Sequence, residues 1–355
     1  IRQRVPDARF TGIGGEQMRR EGCELLYPME KISAMGLDGL FGKLREIFTI
    51  KRDLARRFTS HKPDVFVGID VPDFNLGLEL KLKRVGIPTV HYVSPTVWAW
   101  RGYRIHKIRR AVSYMLTLFP FEAEYYRRQG VPVTFVGHPM ADRSGKPDSA
   151  GARAQLGIGG ERIIALLPGS REGEMRRLGG VFLDAAKLLH QRHPDLQFLL
   201  PFANGALRGQ FECELGGQAG KLPLTLLDGE AHLAMEAADG VILASGTAAL
   251  EAALLERPMV VVYKVSWLSH FLARPLLNVS VYSMPNHLLP EPSIPELIQG
   301  DATPRNIADA MDGYLDDPRR TQALQCQFAR IREELQQGAS RRAAVAVLAQ
   351  AGIAH

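Results

Sequence analysis

The stretch Ile163-Ile164-Ala165-Leu166-Leu167-Pro168-Gly169-Ser170-Arg171 decides the reading of this chain. Its five leading apolar residues are too few for a helix and suit a strand buried on both faces, because Pro and Gly follow at once. Gly169 lets backbone come close to a ligand. The residues after it open a helical pattern, and a helix starting there presents orphan N–H donors and a partial positive charge, which suit phosphate. Arg171 adds a fork of donors for the same group. A plain strand-to-helix turn with a solvated arginine leaves the same trace, so the motif needs company.

Company lies downstream. Gly240-Val241-Ile242-Leu243 reads as another buried strand, and Ala244-Ser245-Gly246-Thr247-Ala248-Ala249-Leu250-Glu251 follows it into a second helix. Ser245, Gly246 and Thr247 supply two hydroxyls beside a glycine and a second set of helix N-terminal donors. Glu251 stands alone among apolar residues, and an isolated carboxylate there needs a partner. A ribose diol is such a partner in nucleotide-binding folds; a solvated helix residue is the alternative. Two such loops on one parallel sheet converge where open α/β sheets take their ligands. Neither matches GxGxxG or GxxxxGK[ST], which argues against a dinucleotide oxidoreductase and a P-loop NTPase.

The same strand–helix rhythm runs before this stretch and after it. Val65 to Ile69, Thr89 to Val93 and Tyr114 to Leu118 are upstream strands; Gln197 to Pro201, Leu224 to Leu227 and Met259 to Tyr263 lie downstream. The chain reads as α/β with parallel sheets covered on both faces. Between the halves, residues 137–148 are rich in turn formers and read as a linker. The expected division is 1–143, 144–335 and a C-terminal helical segment 336–355. The opening Ile1-Arg2-Gln3-Arg4 reads as the tail of a helix, with no signal peptide, so an N-terminal strand and loop are expected to be missing.

In the first half, Asp70 follows the strand Val65 to Ile69 and has no evident capping duty, which makes it the candidate general base; a turn role is the alternative. Asp73 precedes a helix and is placed as its N-cap. Trp98 and Trp100, two apart and next to Arg101, suit either a sugar or acyl pocket or the core. His91 and His138 have no partner at ligand spacing, and structural roles are expected for both.

Composition narrows the function. The 355 residues are 46% apolar and 23% charged, as in ordinary globular domains. Cys23, Cys213 and Cys326 form no CxxC, so neither a zinc site nor a disulfide framework is expected. The net charge of +6 fits an anionic partner such as nucleic acid, acidic lipid or a phosphorylated substrate. No basic-aromatic RNA module is present, so nucleic acid is not expected. Leu37 to Phe48, leading into Lys51, Arg52, Arg56 and Arg57, and Trp267 to Arg274 mix apolar with basic residues. Interfacial helices on anionic lipid have that composition, and so do amphipathic helices packed on a core.

Taken in order, Val67 to Asn75, His91 to Arg101, Leu166 to Arg171, Ser245 to Glu251 and Ser283-Met284-Pro285-Asn286 resemble the bacterial lipid-A-disaccharide synthase family over essentially the whole chain. The resemblance implies a GT-B fold, two Rossmann-like domains facing across a cleft. It implies an inverting, metal-independent transfer, at the cytoplasmic face of the inner membrane, of 2,3-diacylglucosamine from UDP to the 6-hydroxyl of 2,3-diacylglucosamine 1-phosphate. No cofactor is implied, since the UDP-sugar is a substrate, and the family's exchange of C-terminal segments makes a homodimer possible. The family's catalytic residues fall on Asp70, Arg171 and Asn286; Gly169, Ser170, Ser245, Gly246, Thr247, Glu251, Trp98 and Trp100 are the expected substrate contacts. One departure is the absence of the family's opening strand and its Gly-Glu-Ala-Ser-Gly-Asp loop. The competing readings are another GT-B UDP-sugar enzyme, such as an epimerase or a different lipid glycosyltransferase, and a non-catalytic basic membrane-binding protein.

Overall fold

Every strand pair among the described residues is parallel. Parallel strands need a crossover between neighbours, and the helical patterns between the apolar runs supply it. The computed structural model describes residues 1–33, 40–160, 162–220, 222–265 and 281–353. By their contacts they form two units, Ile1–Pro139 with Gln336–His355, and Met140–Leu335.

The first unit holds β1 (Phe10–Gly14) and β2 (Cys23–Pro28) as a two-stranded sheet. A second sheet takes β3 (Phe66–Ile69), β4 (Thr89–Tyr92), β5 (Tyr114–Thr117) and β6 (Val133–Phe135) in sequential order. The helix Pro72–Arg84 follows β3. Its start corrects one expectation. Proline fits the first helical position, having no N–H to lose and a preset φ, so the helix begins at Pro72, ahead of Asp73. Asp73 is therefore not the N-cap; its carboxylate pairs with Arg104 at 2.6 Å. Val71 occupies the cap position in left-handed backbone without a side-chain cap bond.

The closing helix Ala339–Gln350 belongs to the first unit, where Ala339 and Val347 pack with Val90, Leu116 and Val136. Its Ala-rich face is small enough to lie close against the sheet. The boundary observed by contacts falls between Pro139 and Met140, where the sequence reading had 143 and set 336–355 apart.

The second unit is one six-stranded sheet: β7 (Arg162–Leu167), β8 (Leu196–Phe202), β9 (Leu224–Asp228), β10 (Gly240–Ala244), β11 (Met259–Tyr263) and β12 (Glu296–Ile298). Their spatial order is β12-β11-β10-β7-β8-β9. Counted within the unit this is 3-2-1-4-5-6 read from the other edge, the Rossmann order. Its four inner strands are almost wholly buried, as the continuous apolar runs require of a sheet covered on both faces, while the edge strands β9 and β12 are partly open.

A buried polar pair sits under β3. Glu79 and His91 are both 0% exposed and meet at 2.7 Å between Oε1 and Nδ1. Gly68 makes room for them: a Cβ at that position would collide with Glu79 Oε1 and lie 3.1 Å from Asn75 Cβ. Gly68→Ala is therefore expected to destabilise the fold by about 1–3 kcal/mol, the usual cost of overpacking. Chemical denaturation reads this directly, and an unchanged midpoint would show that the pair can shift aside without cost.

Candidate functional site

In the second unit the strand order reverses between β7 and β10, which pair in register with Leu167 opposite Leu243. The loops after them, Pro168 to Arg171 and Ser245 to Thr247, therefore leave the sheet side by side. At such a reversal the connecting helices run to opposite faces and open a crevice at the carboxyl ends of the strands. The two loops that looked ligand-directed in sequence are thus neighbours at the switch point.

Gly169 has φ +123°, a backbone that side-chain-bearing residues rarely adopt. That conformation turns the following N–H groups inward. Arg171 is the N-cap residue of the helix Glu172–Arg192, and the capping box closes on Glu174. Glu174 Oε2 accepts from Ser170 N at 3.0 Å and Arg171 N at 3.3 Å, and its Oε1 accepts from Arg171 Nη1 at 3.2 Å. The donors anticipated for a phosphate are here occupied by the chain's own carboxylate. The acid at the third helical position, S/T-x-x-E in its usual form, was the signal available for it; an arginine at the cap hid the pattern.

The helix Thr247–Leu254 starts at Gly246 with no side-chain cap bond, so its first N–H groups keep their donor capacity for a ligand. Glu251 has a partner: its Oε1 lies 2.7 Å from His232 Nδ1. The hydrogen bond to Glu251 raises the His232 pKa. No spacing in the sequence links residues 232 and 251, and only the fold brings their helices together.

Asn286 is buried and its side chain is fully used. Nδ2 donates to Ile294 O at 2.9 Å and to Glu296 Oε1 at 2.7 Å, while Oδ1 accepts from Ser293 N and Ile294 N at 3.1 and 3.0 Å. Glu296 also accepts from Tyr282 N, Ser283 N and Ser283 Oγ. Asn286 thus ties the short helix Met284–Leu288 to the start of β12.

In the first unit Asp70 lines a cavity of about 280 Å³ together with Ser94, Thr96, Trp100, Arg101 and Arg104. The backbone around it is strained: Asp70, Val71, Val93 and Arg101 have φ of 49, 40, 74 and 52°, four of the seven non-glycine residues in this region among those described. Such strain persists only where surroundings enforce it, and it clusters at functional sites. Asn75 is one enforcer, donating through Nδ2 to Asp70 O at 2.7 Å and Ile69 O at 3.2 Å. The two tryptophans separate. Trp100 reaches the cavity, whereas Trp98 packs edge-on against Phe121 and donates Nε1 to Glu122 Oε1 at 3.2 Å. His138 packs against Phe119, its ring tilted by 35° at a centroid distance of 5.4 Å. Among the described residues no group of three or more His, Cys, Asp or Glu could hold a metal ion. The segment Trp267 to Arg274 lies outside the described residues, as does the start of Leu37 to Phe48.

Glu122, like Glu79, is a buried acid that sequence reading passed over, although it stands among aromatic residues much as Glu251 stands among alanines. Desolvation pushes its pKa up to about 7, against hydrogen bonds from Trp98 and Ser94 that favour the ionised form. An acid raised in the folded state binds more protons there than when unfolded. Stability should therefore fall as pH rises from about 4.5 to about 7 and stay low above that. Glu122→Gln keeps an acceptor for Trp98 and cannot ionise. It is expected to flatten this part of the stability profile and to stabilise the protein at pH 8 by on the order of 2 kcal/mol. Denaturation midpoints across this range test it, and an unaltered slope would mean that Glu122 stays ionised throughout.

A lipid-A-disaccharide synthetase family model matches residues 1–350. A lipid-A-disaccharide synthase of Hahella chejuensis is 48% identical over 349 residues, 98% of this chain and 88% of that protein. One from Pseudomonas putida is 48% identical over 351 residues, 98% of this chain and 92% of its own. Among solved structures, the S. aureus MnaA–UDP co-structure aligns with a TM-score of 0.57 at 14% identity, covering 95% of this chain and 94% of its own. The UDP-GlcNAc 2-epimerase from Neisseria meningitidis bound to UDP-GlcNAc aligns with a TM-score of 0.57 at 11% identity, covering 96% and 91%. At such identities these two show the fold alone, that of the GT-B class with its two Rossmann-like domains. With near-half identity to its relatives and a family match that runs almost end to end, the chain belongs to the lipid-A-disaccharide synthetase family.

Proposed function

We propose that the protein is a lipid-A-disaccharide synthase that moves 2,3-diacylglucosamine from its UDP donor to the 6-hydroxyl of 2,3-diacylglucosamine 1-phosphate, forming the β-1′,6 linkage and UDP. The observation that carries this reading is family membership, at 48% identity over 98% of the chain. The two phosphate-type loops side by side at the switch point support it. The diphosphate is assigned to Ser170, Arg171 and the Ser245 to Thr247 loop, and the ribose to Glu251. Asp70 is assigned as the base.

The chemistry follows from these groups. The sugar–phosphate bond breaks through an oxocarbenium-like transition state, and negative charge grows on the departing UDP. Fixed dipoles and a guanidinium aimed at that charge stabilise it without reorganisation; the N-termini at Arg171 and Gly246 and the Arg171 side chain supply them, without calling on a metal. Asp70 takes the proton from the attacking hydroxyl as it becomes acidic, and attack opposite the leaving group inverts the anomeric centre. Asn286, with no donor or acceptor to spare, acts as a positioning residue. Reversible attachment to an anionic inner-membrane surface on the cytoplasmic side belongs to the same reading. Its support is Arg52, Arg56 and Arg57, exposed on the helix Leu40–Ser60, and Phe48, 68% exposed on it; Lys51 turns inward over Phe74 and donates to Asp73 O. No helix among the described residues is long and apolar enough to cross a membrane. For a homodimer the support is the family resemblance alone.

Asp70→Asn preserves shape and tolerates the left-handed backbone. Turnover is expected to fall roughly 10²–10⁴-fold, while UDP affinity and melting temperature hold. Arg171→Ala differs by weakening UDP binding as well. Near-native turnover of Asp70→Asn would place the base elsewhere.

Glu174 gives a second, less intuitive expectation. Its carboxylate sits on the N–H groups assigned to the diphosphate, so the two anions compete. Glu174→Gln should tighten UDP binding about fivefold, close to the ~1 kcal/mol a charge is worth at a helix N-terminus, and leave uridine binding unchanged. Calorimetry with both ligands decides; weaker UDP binding would make Glu174 a scaffold of the loop and not a competitor.

A further inference from the structure

Two opposite charges line one cavity of the first unit without meeting. Asp70 and Arg101 both face the space of about 280 Å³, yet among the described residues neither forms an ion pair. The other two charges lining it, Asp73 and Arg104, are closed on each other at 2.6 Å. Asp70 and Arg101 are each set on left-handed backbone, with φ of 49 and 52°.

Arg101 is held by something other than a carboxylate. Its guanidinium lies over the Trp100 indole, 4.1 Å from the ring centroid. Trp100 is itself fixed, with Nε1 donating to Thr96 Oγ1 at 2.8 Å. Stacking occupies the flat face of a guanidinium and leaves its N–H fork, in the plane, free to grip an oxyanion with two bonds. A side chain with a committed face and an uncommitted edge is preorganised for an anion that the protein does not itself provide.

We propose that Arg101, stacked on Trp100, is the seat of a phosphate monoester carried by the acceptor, with the acceptor bridging from this seat to Asp70. The inference rests on the reading above, in which the acceptor occupies the Asp70 cavity, and adds which of its ends goes where. A phosphate monoester carries close to two negative charges at neutral pH, and Arg101 is the cation in the cavity without a carboxylate of its own. C1, which carries the phosphate, and C5, which carries the 6-hydroxyl arm, flank the ring oxygen, so seating the phosphate at Arg101 leaves the 6-hydroxyl to swing toward Asp70 in the same cavity. The pair thus selects both a phosphorylated acceptor and the hydroxyl that reacts.

The test is steady-state kinetics of the full chain with two acceptors, 2,3-diacylglucosamine 1-phosphate and its dephosphorylated counterpart. Arg101→Ala is expected to cut kcat/KM for the phosphorylated acceptor roughly 10- to 100-fold, the span of a charge-assisted hydrogen bond. It should barely alter kcat/KM for the dephosphorylated one, and UDP affinity by calorimetry should stay at the native value. Arg101→Lys should recover part of the loss, since it restores charge without the fork, and it serves as well should the alanine variant fold poorly. Equal losses toward both acceptors, or an unchanged preference for the phosphate, overturn the proposal. The underlying reading fails differently: if the acceptor does not occupy this cavity, Asp70→Asn retains turnover as well. Loss of turnover in Asp70→Asn with an intact phosphate preference in Arg101→Ala refutes the phosphate seat alone.

Discussion

Parallel pairing of β7 with β10 is the constraint on which the second unit turns. Once Leu167 and Leu243 are opposite each other, the strands on either side must be reached by crossovers of one hand. The helices after β7 and β10 are then carried to opposite faces, and the loops between strand and helix have nowhere to go but alongside one another. Gly169 and Gly246 are turn residues at those two exits. The electrostatics come with the geometry, because two helix N-termini open beside the same crevice. Glu174 answers that field from within the chain, its carboxylate accepting from Ser170 N and Arg171 N.

The first unit reaches a prepared site by another route. Its cavity is walled by backbone in conformations that cost free energy, at Asp70, Val93 and Arg101. Buried hydrogen bonds hold them. Asn75 grips the carbonyls at Ile69 and Asp70, and Ser94 Oγ reaches Tyr126 at 3.1 Å. Tyr126 and Glu122 rise from one helix, Pro120–Arg128, which thereby backs the segment carrying both tryptophans. Desolvation pushes the pKa of the Tyr126 hydroxyl well up, so it stays a neutral donor.

What the sequence disclosed and what it withheld divide along physical lines. Strand-end loops were legible because their signals are local: an apolar run, a glycine, then helical periodicity. The place of Asp70 was legible, as an acid just past a strand with no cap to make, and it lines the first unit's cavity. Asp73 was misplaced because Pro72 outcompetes it for the start of the helix. Pairings across distance were not legible: Glu251 with His232, Glu122 with Trp98, Asn286 with Glu296. Each joins separate elements, and a carboxylate in an apolar stretch announces that it has a partner without saying which. The division of the first half into two sheets was equally silent, since strand propensity says nothing of which neighbour a strand will take.

The closing helix Ala339–Gln350 finishes the core of the first unit, not of the second that precedes it in the chain. The first unit is therefore discontinuous in sequence, its core closed by residues on the far side of the second in the chain. The Met140–Leu335 unit, by contrast, is contiguous in sequence. Without the closing helix Val90, Leu116 and Val136 lose the side chains that cover them, so the integrity of the first unit hangs on residues that lie beyond the whole of the second.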